Sequence, residues 1–498
     1  MGAVTIAEAL AMEASALANG WTEEQLLNVA GERLGHAISR YFPTPGTIIG
    51  YLGKGHNAGD ALVALRILRD RYGWEIATRN AYPIGGCAPL TLRKWDELGL
   101  TLPLDRTPGW RDLKRPLVLL DGLLGSGSSG ALREPLVALA AEMATLRQKA
   151  GAFVAAVDLP SGIDPDSGEI FPDTVIADVT FMIGNAKLGL LKGHAAAATG
   201  SLALVPVEPL ASLTPSGLEL ISPQTLDCGK APRPFDFHKG MAGRVAIVAG
   251  SANYTGAAVL AASGALRGGA GLVTLFVPEA IHSLIAGKCP PEVIVRGYQK
   301  PSELLESRFD SLVVGCGLGE LNADVGKGLL ALLAKSPAPV VVDADALNFI
   351  ARTRHLNVLN SNHVITPHPG EFARLAPDLA DLPREEAARR FADRIPATLL
   401  LKGCRTIVTR QGQSLRCNST GTPGMASGGQ GDVLAGVIGA RLAIGDAAMD
   451  AAAMSAWLCG RSAEIALQEP HLSEESLLPG DVLHFLGAAF QDWRTSKR

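Results

Sequence analysis

Asn418-Ser-Thr-Gly-Thr-Pro-Gly-Met-Ala-Ser-Gly-Gly-Gln-Gly-Asp432 runs without a break into the apolar segment Val433-Leu-Ala-Gly-Val-Ile-Gly-Ala440. A glycine-rich loop that feeds the first turn of a buried helix presents unpaired backbone N–H groups and the positive end of the helix dipole, an arrangement that holds a phosphate or an oxyanion. Asp432 stands at that turn. Its charge is out of place in a loop that only binds phosphate, but it suits one that must also take a proton from a hydroxyl beside the phosphate. The stretch points to phosphoryl chemistry on an alcohol. Taken alone, Gly-Gly-x-Gly-Asp is equally consistent with a tight turn in which Asp432 is a helix N-cap.

Upstream of this loop the chain repeats one pattern: a short apolar run closed by a polar or glycine motif. Val245-Ala-Ile-Val-Ala249 precedes Gly250-Ser-Ala-Asn-Tyr-Thr-Gly-Ala257, Ser311-Leu-Val-Val314 precedes Gly315-Cys-Gly-Leu-Gly319, and Pro339-Val-Val-Val342 precedes Asp343-Ala-Asp345. His363-Val-Ile-Thr366 precedes Pro367-His-Pro-Gly-Glu371, and Thr398-Leu-Leu-Leu401 precedes Lys402-Gly-Cys-Arg-Thr406. In a doubly wound sheet the strand ends share one edge, so these motifs are expected to meet there. Lys402 ends its strand where a buried ammonium needs a compensating charge, for which a phosphate would serve. Asp343 and Asp345 are either turn formers or helpers of a magnesium-bound phosphate. His368 is either a rigid-turn residue between prolines or a ligand contact.

The ordered motifs Gly-Ser-x-x-Tyr-x-Gly-Ala, Gly-x-Gly-Leu-Gly, Asp-Ala-Asp-Ala-Leu-Asn, Thr-Pro-His-Pro-Gly-Glu, Leu-Lys-Gly-x-x-Thr and Gly-Gly-x-Gly-Asp resemble the ADP/ATP-dependent NAD(P)H-hydrate dehydratases, a ribokinase-like family, over residues 222–495. The resemblance implies that Ala257, Gly319, His368 and Asp432 contact a hydrated nicotinamide nucleotide. It places Lys402, Gly403, Cys404, Arg405, Thr406 and Gly431 along the adenine nucleotide, ADP or ATP with Mg2+, and makes Asp432 catalytic. Phosphorylating the ring hydroxyl at C6 would turn a poor leaving group into a good one.

The first half opens on helical spacing over residues 6–40, followed by the strand Thr47-Ile-Ile-Gly-Tyr-Leu52, the loop Gly53-Lys-Gly-His-Asn-Ala-Gly-Asp60 and the helical Ala61-Leu-Val-Ala-Leu-Arg-Ile-Leu68. Strand, glycine loop and helix open a mononucleotide-binding unit, although many such turns hold no ligand. Pro116-Leu-Val-Leu-Leu-Asp121 and Phe153-Val-Ala-Ala-Val-Asp158 repeat the apolar run with a terminal carboxylate. Asn57, Asp121, Asp158 and Ser161 are thereby expected near one edge, where oxygen ligands suit a hard cation and a polar ligand.

The loop 53–60, Asp121-Gly-Leu-Leu-Gly-Ser-Gly127 and Asp158-Leu-Pro-Ser-Gly162 resemble, in that order, the three motifs of the NAD(P)H-hydrate epimerase domains over residues 1–215. The resemblance implies a potassium ion held by Asn57, Asp121 and Ser161. It lays the substrate along His56, Asn57, Ala58, Gly59 and Asp60 and along Gly125, Ser126, Gly127, Ser128, Ser129, Gly130 and Ala131. Asp158 would touch the substrate as the acid/base group. His56, Ala58 and Ala61 depart from the family pattern, and a methyl at Ala58 is expected to crowd the loop unless the backbone keeps a negative φ. Lys187 matches a basic position after the family's sixth strand, or is a solvated surface lysine.

Both domains in one chain resemble the bifunctional NAD(P)H-hydrate repair enzymes, which implies a lyase and an isomerase acting on NADHX and NADPHX. The expected architecture is α/β, with two doubly wound domains: a Rossmann-like one over residues 1–220 and a ribokinase-like one over 221–498. A Pro-, Ser- and Thr-rich stretch, 206–234, is expected to link them. At 498 residues the chain is too long for one core. With 45 basic against 49 acidic residues, no nucleic acid or anionic membrane is expected as a partner. Seven cysteines without a C-x-x-C spacing, no signal pattern and no apolar span of about 20 residues point to a cytoplasmic protein. An Ala-rich helical surface over residues 446–466 suggests a homo-oligomer, a tetramer or larger.

Overall fold

The apolar runs become buried strands in a computed structural model of the chain, which describes residues 2–99, 110–128, 130–210, 217–229 and 231–495. Two compact units result, Met1–Leu220 and Ile221–Arg498.

In the first unit, strands β1 (Thr47–Leu52), β2 (Glu75–Asn80), β3 (Leu117–Gly122), β4 (Phe153–Val157), β5 (Val179–Ile183) and β6 (Ser201–Val205) form one parallel sheet in the order β2-β1-β3-β4-β5-β6. Because side chains alternate across a strand, Ile48, Leu52, Val118 and Leu120 join one core with Leu34, Leu62 and Leu65. Ile49, Tyr51, Leu117 and Leu119 join another core with Leu136 and Met143. A sheet covered on both faces requires apolar residues at every position, which is why these runs do not alternate with polar ones. The strand order reverses between β1 and β3, so their carboxyl ends open a crevice. Gly53 is needed at its mouth: a Cβ there would lie 1.9 Å from the Leu123 carbonyl oxygen.

The second sheet contains β7 (Leu218–Ile221), β8 (Arg244–Val248), β9 (Leu272–Pro278), β10 (Val293–Tyr298), β11 (Ser311–Val314), β12 (Val340–Val342), β13 (His363–Ile365), β14 (Thr398–Leu401), β15 (Ile407–Thr409) and β16 (Leu415–Asn418). Its order is β10-β9-β8-β11-β12-β13-β14-β15-β16-β7. From β10 to β14 the pairs are parallel, whereas β14–β15 and β15–β16 are antiparallel. The sheet is thus mixed rather than wholly doubly wound. Residues 402–406 and 410–414 are too few for a crossover, so the chain can only turn back on itself there. β7 lies inside the stretch read as a linker, of which residues 211–216 and 230 fall outside the described residues.

Helix Gln430–Ile444 is apolar all round from Val433 to Ala440 and lies against helix Thr255–Arg267 at close range. A Cβ on Gly436 would stand 2.0 Å from the Ala261 carbonyl oxygen, and one on Gly264 would stand 2.4 Å from that of Val433. Gly436→Ala is therefore expected to lower stability by about 1–3 kcal/mol, because overpacking against backbone outweighs the roughly 1 kcal/mol gained in helix propensity. An unchanged or higher midpoint in thermal unfolding would contradict this packing.

The Ala-rich helix Ala448–Ala466 is buried through nearly its whole length, with Met454, Leu458 and Ala463 in the core of its own unit. It is not the exposed surface expected from its composition. Small side chains let the helix sink among its neighbours instead. No helix among the described residues is long and apolar enough to cross a membrane.

Candidate active sites

In the second unit, helix Gln430–Ile444 begins from Gly429, whose φ of 99° a residue with a side chain rarely adopts, and no side chain caps it. Its first amides are left for a ligand. Asp432 is the third residue of the helix, so the N-cap reading falls. Gly431 passes over the ends of β12 and β14: a Cβ there would lie 3.2 Å from Lys402 Nζ and 3.7 Å from Asp343 Oδ2.

Four strand ends meet beneath this turn. Asp343, at the end of β12, accepts hydrogen bonds at Oδ1 from Lys402 Nζ (2.8 Å) and Thr366 Oγ1 (2.8 Å). Cys316 Sγ, at the end of β11, lies 4.0 Å from Asp343 Oδ2, and an oxygen of Asp432 completes a trio of atoms within 4.8 Å of one another. Burial and the neighbouring charge of Asp343 push the Asp432 carboxyl up to about 6, against the opposing pull of the Cys316 hydrogen bond and the Lys402 ammonium. Burial pushes Lys402 toward neutrality, but Asp343 and Glu371 outweigh it and hold its pKa above the usual lysine value. The charge expected from a phosphate is thus already supplied by a carboxylate.

Ala344, with φ of 47°, turns the chain so that Asp343 faces Lys402 while Asp345 Oδ2 accepts the Gly319 N–H at 2.8 Å. Both carboxylates have protein partners. On the facing side, Gly317 packs on Ala257, where an added Cβ would be 2.7 Å from the alanine methyl. His368 is exposed and caps helix Pro369–Leu375, its Nδ1 accepting from Gly370 N at 3.0 Å. That bond leaves Nε2 as the ring's protonated nitrogen when the imidazole is neutral.

In the first unit, Asp121 is wholly buried at the end of β3. Its Oδ1 accepts from Ser161 Oγ (2.7 Å) and Leu123 N (3.2 Å), and its Oδ2 from Ser161 N (2.8 Å). Burial outweighs these bonds and pushes its carboxyl up to about 6. Asn57 Nδ2 donates to the carbonyls of Leu124 (2.8 Å) and Val157 (3.2 Å), which fixes the amide beside Asp121 and Ser161. Asp158, with φ of 66°, turns toward the next strand, where it accepts from Ile183 N (3.0 Å) and pairs with Lys187. Lys187 also donates to the Ile183 carbonyl (2.8 Å) and is 4% exposed, so it is not a solvated lysine; it follows β5.

Burial and the charges of Asp158 and Glu13 push the Asp60 carboxyl well up, and burial and Asp158 also raise Glu13. Glu13 comes from helix Ile6–Ala18, which the sequence reading left without a role. Ala58 and Ala61 are 1% and 0% exposed, their methyls turned into the core with Leu62 and Leu65. The expected crowding of the loop does not occur, because helix His56–Tyr72 starts early enough to turn these residues inward. His56 is exposed at its first position. Gly125 abuts Asn57, where a Cβ would be 3.1 Å from the asparagine Cβ, and Gly130 has φ of 94°. Ser129 lies outside the described residues.

Residues 23–189 match the family described as YjeF-related protein N-terminus, and residues 245–483 match the NAD(P)H-hydrate dehydratase family. The bifunctional NAD(P)H-hydrate repair enzyme of Moorella thermoacetica is 34% identical over 494 residues, covering 93% of this chain and 91% of that one. The chain belongs to the bifunctional NAD(P)H-hydrate repair enzymes. The same enzyme from Gloeobacter violaceus is 35% identical, covering 88% of each chain. Among solved structures, the ADP/ATP-dependent NAD(P)H-hydrate dehydratase of Bacillus subtilis, co-crystallised with ATP and Mg2+, gives a TM-score of 0.46 at 27% identity over 53% of this chain and 94% of that one. The activities of this repair enzyme are epimerisation and ADP/ATP-dependent dehydration of hydrated NAD(P)H.

The loop of the repair enzyme after β14 places its residues unequally. Gly403, with φ of 139°, and Cys404 are exposed, Thr406 Oγ1 donates to the Gly403 carbonyl at 3.0 Å, and Arg405 is buried. Arg384 holds the loop from helix Arg384–Arg394, donating to the carbonyls of Leu401 (3.3 Å) and Lys402 (3.2 Å). Nothing in its charged surroundings, Arg384-Glu-Glu-Ala-Ala-Arg-Arg390, distinguishes it in sequence from a solvated helix face.

Proposed function

We propose that dehydration is carried out by residues 221–498 with Asp432 as general base, and epimerisation by residues 1–220 at Asp158. The observation that supports the first half is Asp432 on the first turn of an uncapped helix, its carboxyl raised to about 6 by burial and Asp343. Above that pH it is ionised and able to take a proton. It removes the proton of the C6 hydroxyl as that oxygen attacks the terminal phosphoryl group of ADP or ATP. The amides of Gly428 to Gly431 and the helix end face the charge that builds on the phosphoryl oxygens. The C6–O bond then breaks with the electron push of the ring nitrogen, phosphate leaves, and loss of the C5 proton restores NAD(P)H. AMP or ADP is the other product. Epimerisation interconverts the R and S hydrates, so that the S form consumed by dehydration is replenished.

A monovalent cation such as K+ fits the first unit on chemical grounds. Asp121 is a buried carboxylate whose partners are all neutral donors, beside the oxygen-bearing Asn57 and Ser161. K+ held by these three residues would supply a positive charge that steadies the substrate's phosphates. For Mg2+, the trio Cys316, Asp343 and Asp432 is a poor match, since a thiol is a soft ligand and Asp343 is already paired with an ammonium. Mg2+ would instead enter with the phosphates of the nucleotide. The seven free cysteines suit a reducing cytoplasm.

Asp121→Asn tests the division of labour. Offered an R/S mixture with ATP, the wild type is expected to convert all of it in a K+-dependent manner. The variant is expected to consume the S form at the normal rate and then fall to the spontaneous rate of epimerisation. Full, K+-stimulated conversion by the variant would contradict the cation site.

A further inference from the structure

Arg384 stands at the first position of helix Arg384–Arg394, where the helix dipole disfavours a cation, and none of the steps above uses it. Its guanidinium has no carboxylate partner among the described residues. Its bonds go to neutral carbonyls, those of Leu401 (3.3 Å), Lys402 (3.2 Å) and Cys404 (2.5 Å). It lies directly against Gly403, where a Cβ would be 3.0 Å from Arg384 Nη2. A partly buried arginine ordinarily pairs with an anion, so this one leaves a positive charge unneutralised behind the turn.

Those three bonds shape the turn between β14 and β15. Thr406 Oγ1 donates to the Gly403 carbonyl (3.0 Å), so every carbonyl from Leu401 to Cys404 faces a donor of the protein. The N–H groups of Gly403 and Cys404 have no acceptor among the described residues, and both residues are exposed. Gly403 (φ 139°) and Arg405 (φ 55°) supply the positive φ that turns the peptides this way. A turn with its oxygens drawn inward, its amides outward and a cation behind it suits an anion. It also starts at the glycine cradle: Nζ of Lys402, the residue before it, is 3.2 Å from the place of a Cβ on Gly431. A nucleotide whose terminal phosphoryl group lies on the amides of Gly428 to Gly431 meets this turn next.

We propose that Arg384 is a positioning residue for the adenine nucleotide: by holding the carbonyls of Leu401, Lys402 and Cys404, it keeps the amides of the turn aimed at the phosphates that are not transferred. The proposal rests on phosphoryl transfer at the cradle beside Asp432. Without the guanidinium the carbonyls are released, and the turn offers oxygens as readily as amides to a negative ligand.

The test is steady-state dehydration of the S hydrate by the full chain, wild type against Arg384→Ala and Arg384→Lys, with nucleotide and hydrate varied in turn. Arg384→Ala is expected to raise KM for ATP and for ADP by about 10- to 100-fold, while kcat and KM for the hydrate stay within a few-fold of wild type. Methylguanidinium, far below denaturing concentrations, is expected to lower the nucleotide KM of the alanine variant and to leave the wild type unchanged, since it refills the space beside Gly403. Arg384→Lys keeps the charge but bridges fewer carbonyls; its nucleotide KM is expected between the two and decides the matter if the alanine variant does not fold. A nucleotide KM unmoved by substitution, or a rise shared equally by the hydrate and not reversed by methylguanidinium, would overturn the role of Arg384. Asp432→Asn, run beside them, separates the two claims: if it is inactive while the Arg384 variants keep the wild-type nucleotide KM, Arg384 alone falls. Turnover retained by Asp432→Asn would remove transfer at the cradle, and the role of Arg384 with it.

Discussion

Asp432→Asn will lower the single-turnover rate of phosphate release by about 100- to 10,000-fold, the range a positioned general base supplies. The amide has the size of the carboxylate, so the glycine cradle and helix Gln430–Ile444 stay in place. Removing a negative charge beside Asp343 and the phosphate site leaves nucleotide affinity unchanged or higher, as titration calorimetry with ADP and ATP will measure. Epimerisation will be unaffected. For the proposed base the sign of the pH dependence follows from its raised carboxyl: wild-type kcat/KM is expected to rise through about pH 6 to a plateau. Turnover within a few-fold of wild type would end the assignment of Asp432 as the base.

Lys187→Met will destabilise the first unit by about 3–5 kcal/mol at neutral pH, because it strands Asp158 as an unpaired charge in a buried place. The side chains of the pair are 4% and 12% exposed, so solvent screens little of this loss. Lys187→Met combined with Asp158→Asn will regain most of the stability, since the amide leaves no buried charge. Asp158→Asn alone will slow epimerisation and spare dehydration of the S hydrate. Denaturant unfolding and separate assays of the two activities check these outcomes. An unchanged midpoint for Lys187→Met, or equal loss of both activities in Asp158→Asn, would contradict the account.

The strands were legible because both sheets are covered on both faces, which forces unbroken apolar runs such as 47–52, 311–314 and 398–401. Their terminal motifs were legible because parallel strands share an edge, and the structure accordingly gathers Asn57, Asp121 and Ser161, and separately Asp343, Lys402 and Asp432. What escaped the sequence were pairings between distant side chains. Lys187 reads as an ordinary loop lysine until β5 delivers it to Asp158, and Lys402 reads as a phosphate ligand until β12 brings Asp343 to 2.8 Å. Ala58 looked like an obstruction because its methyl could not be assigned a direction before the start of the helix was known. β7, four residues within a proline-rich stretch, has too short a period to stand out from a linker. The Ala-rich helix misled in the opposite sense, since small apolar residues suit a buried packing surface as well as an exposed one.

The direct test of phosphoryl transfer in the dehydratase unit is the fate of the oxygen on C6. The S hydrate of NADH carrying 18O in that hydroxyl, turned over with unlabelled ATP in unlabelled water, will release orthophosphate bearing one 18O atom, because the hydroxyl leaves as part of the phosphate. Unlabelled orthophosphate, with the label recovered in water, would contradict it.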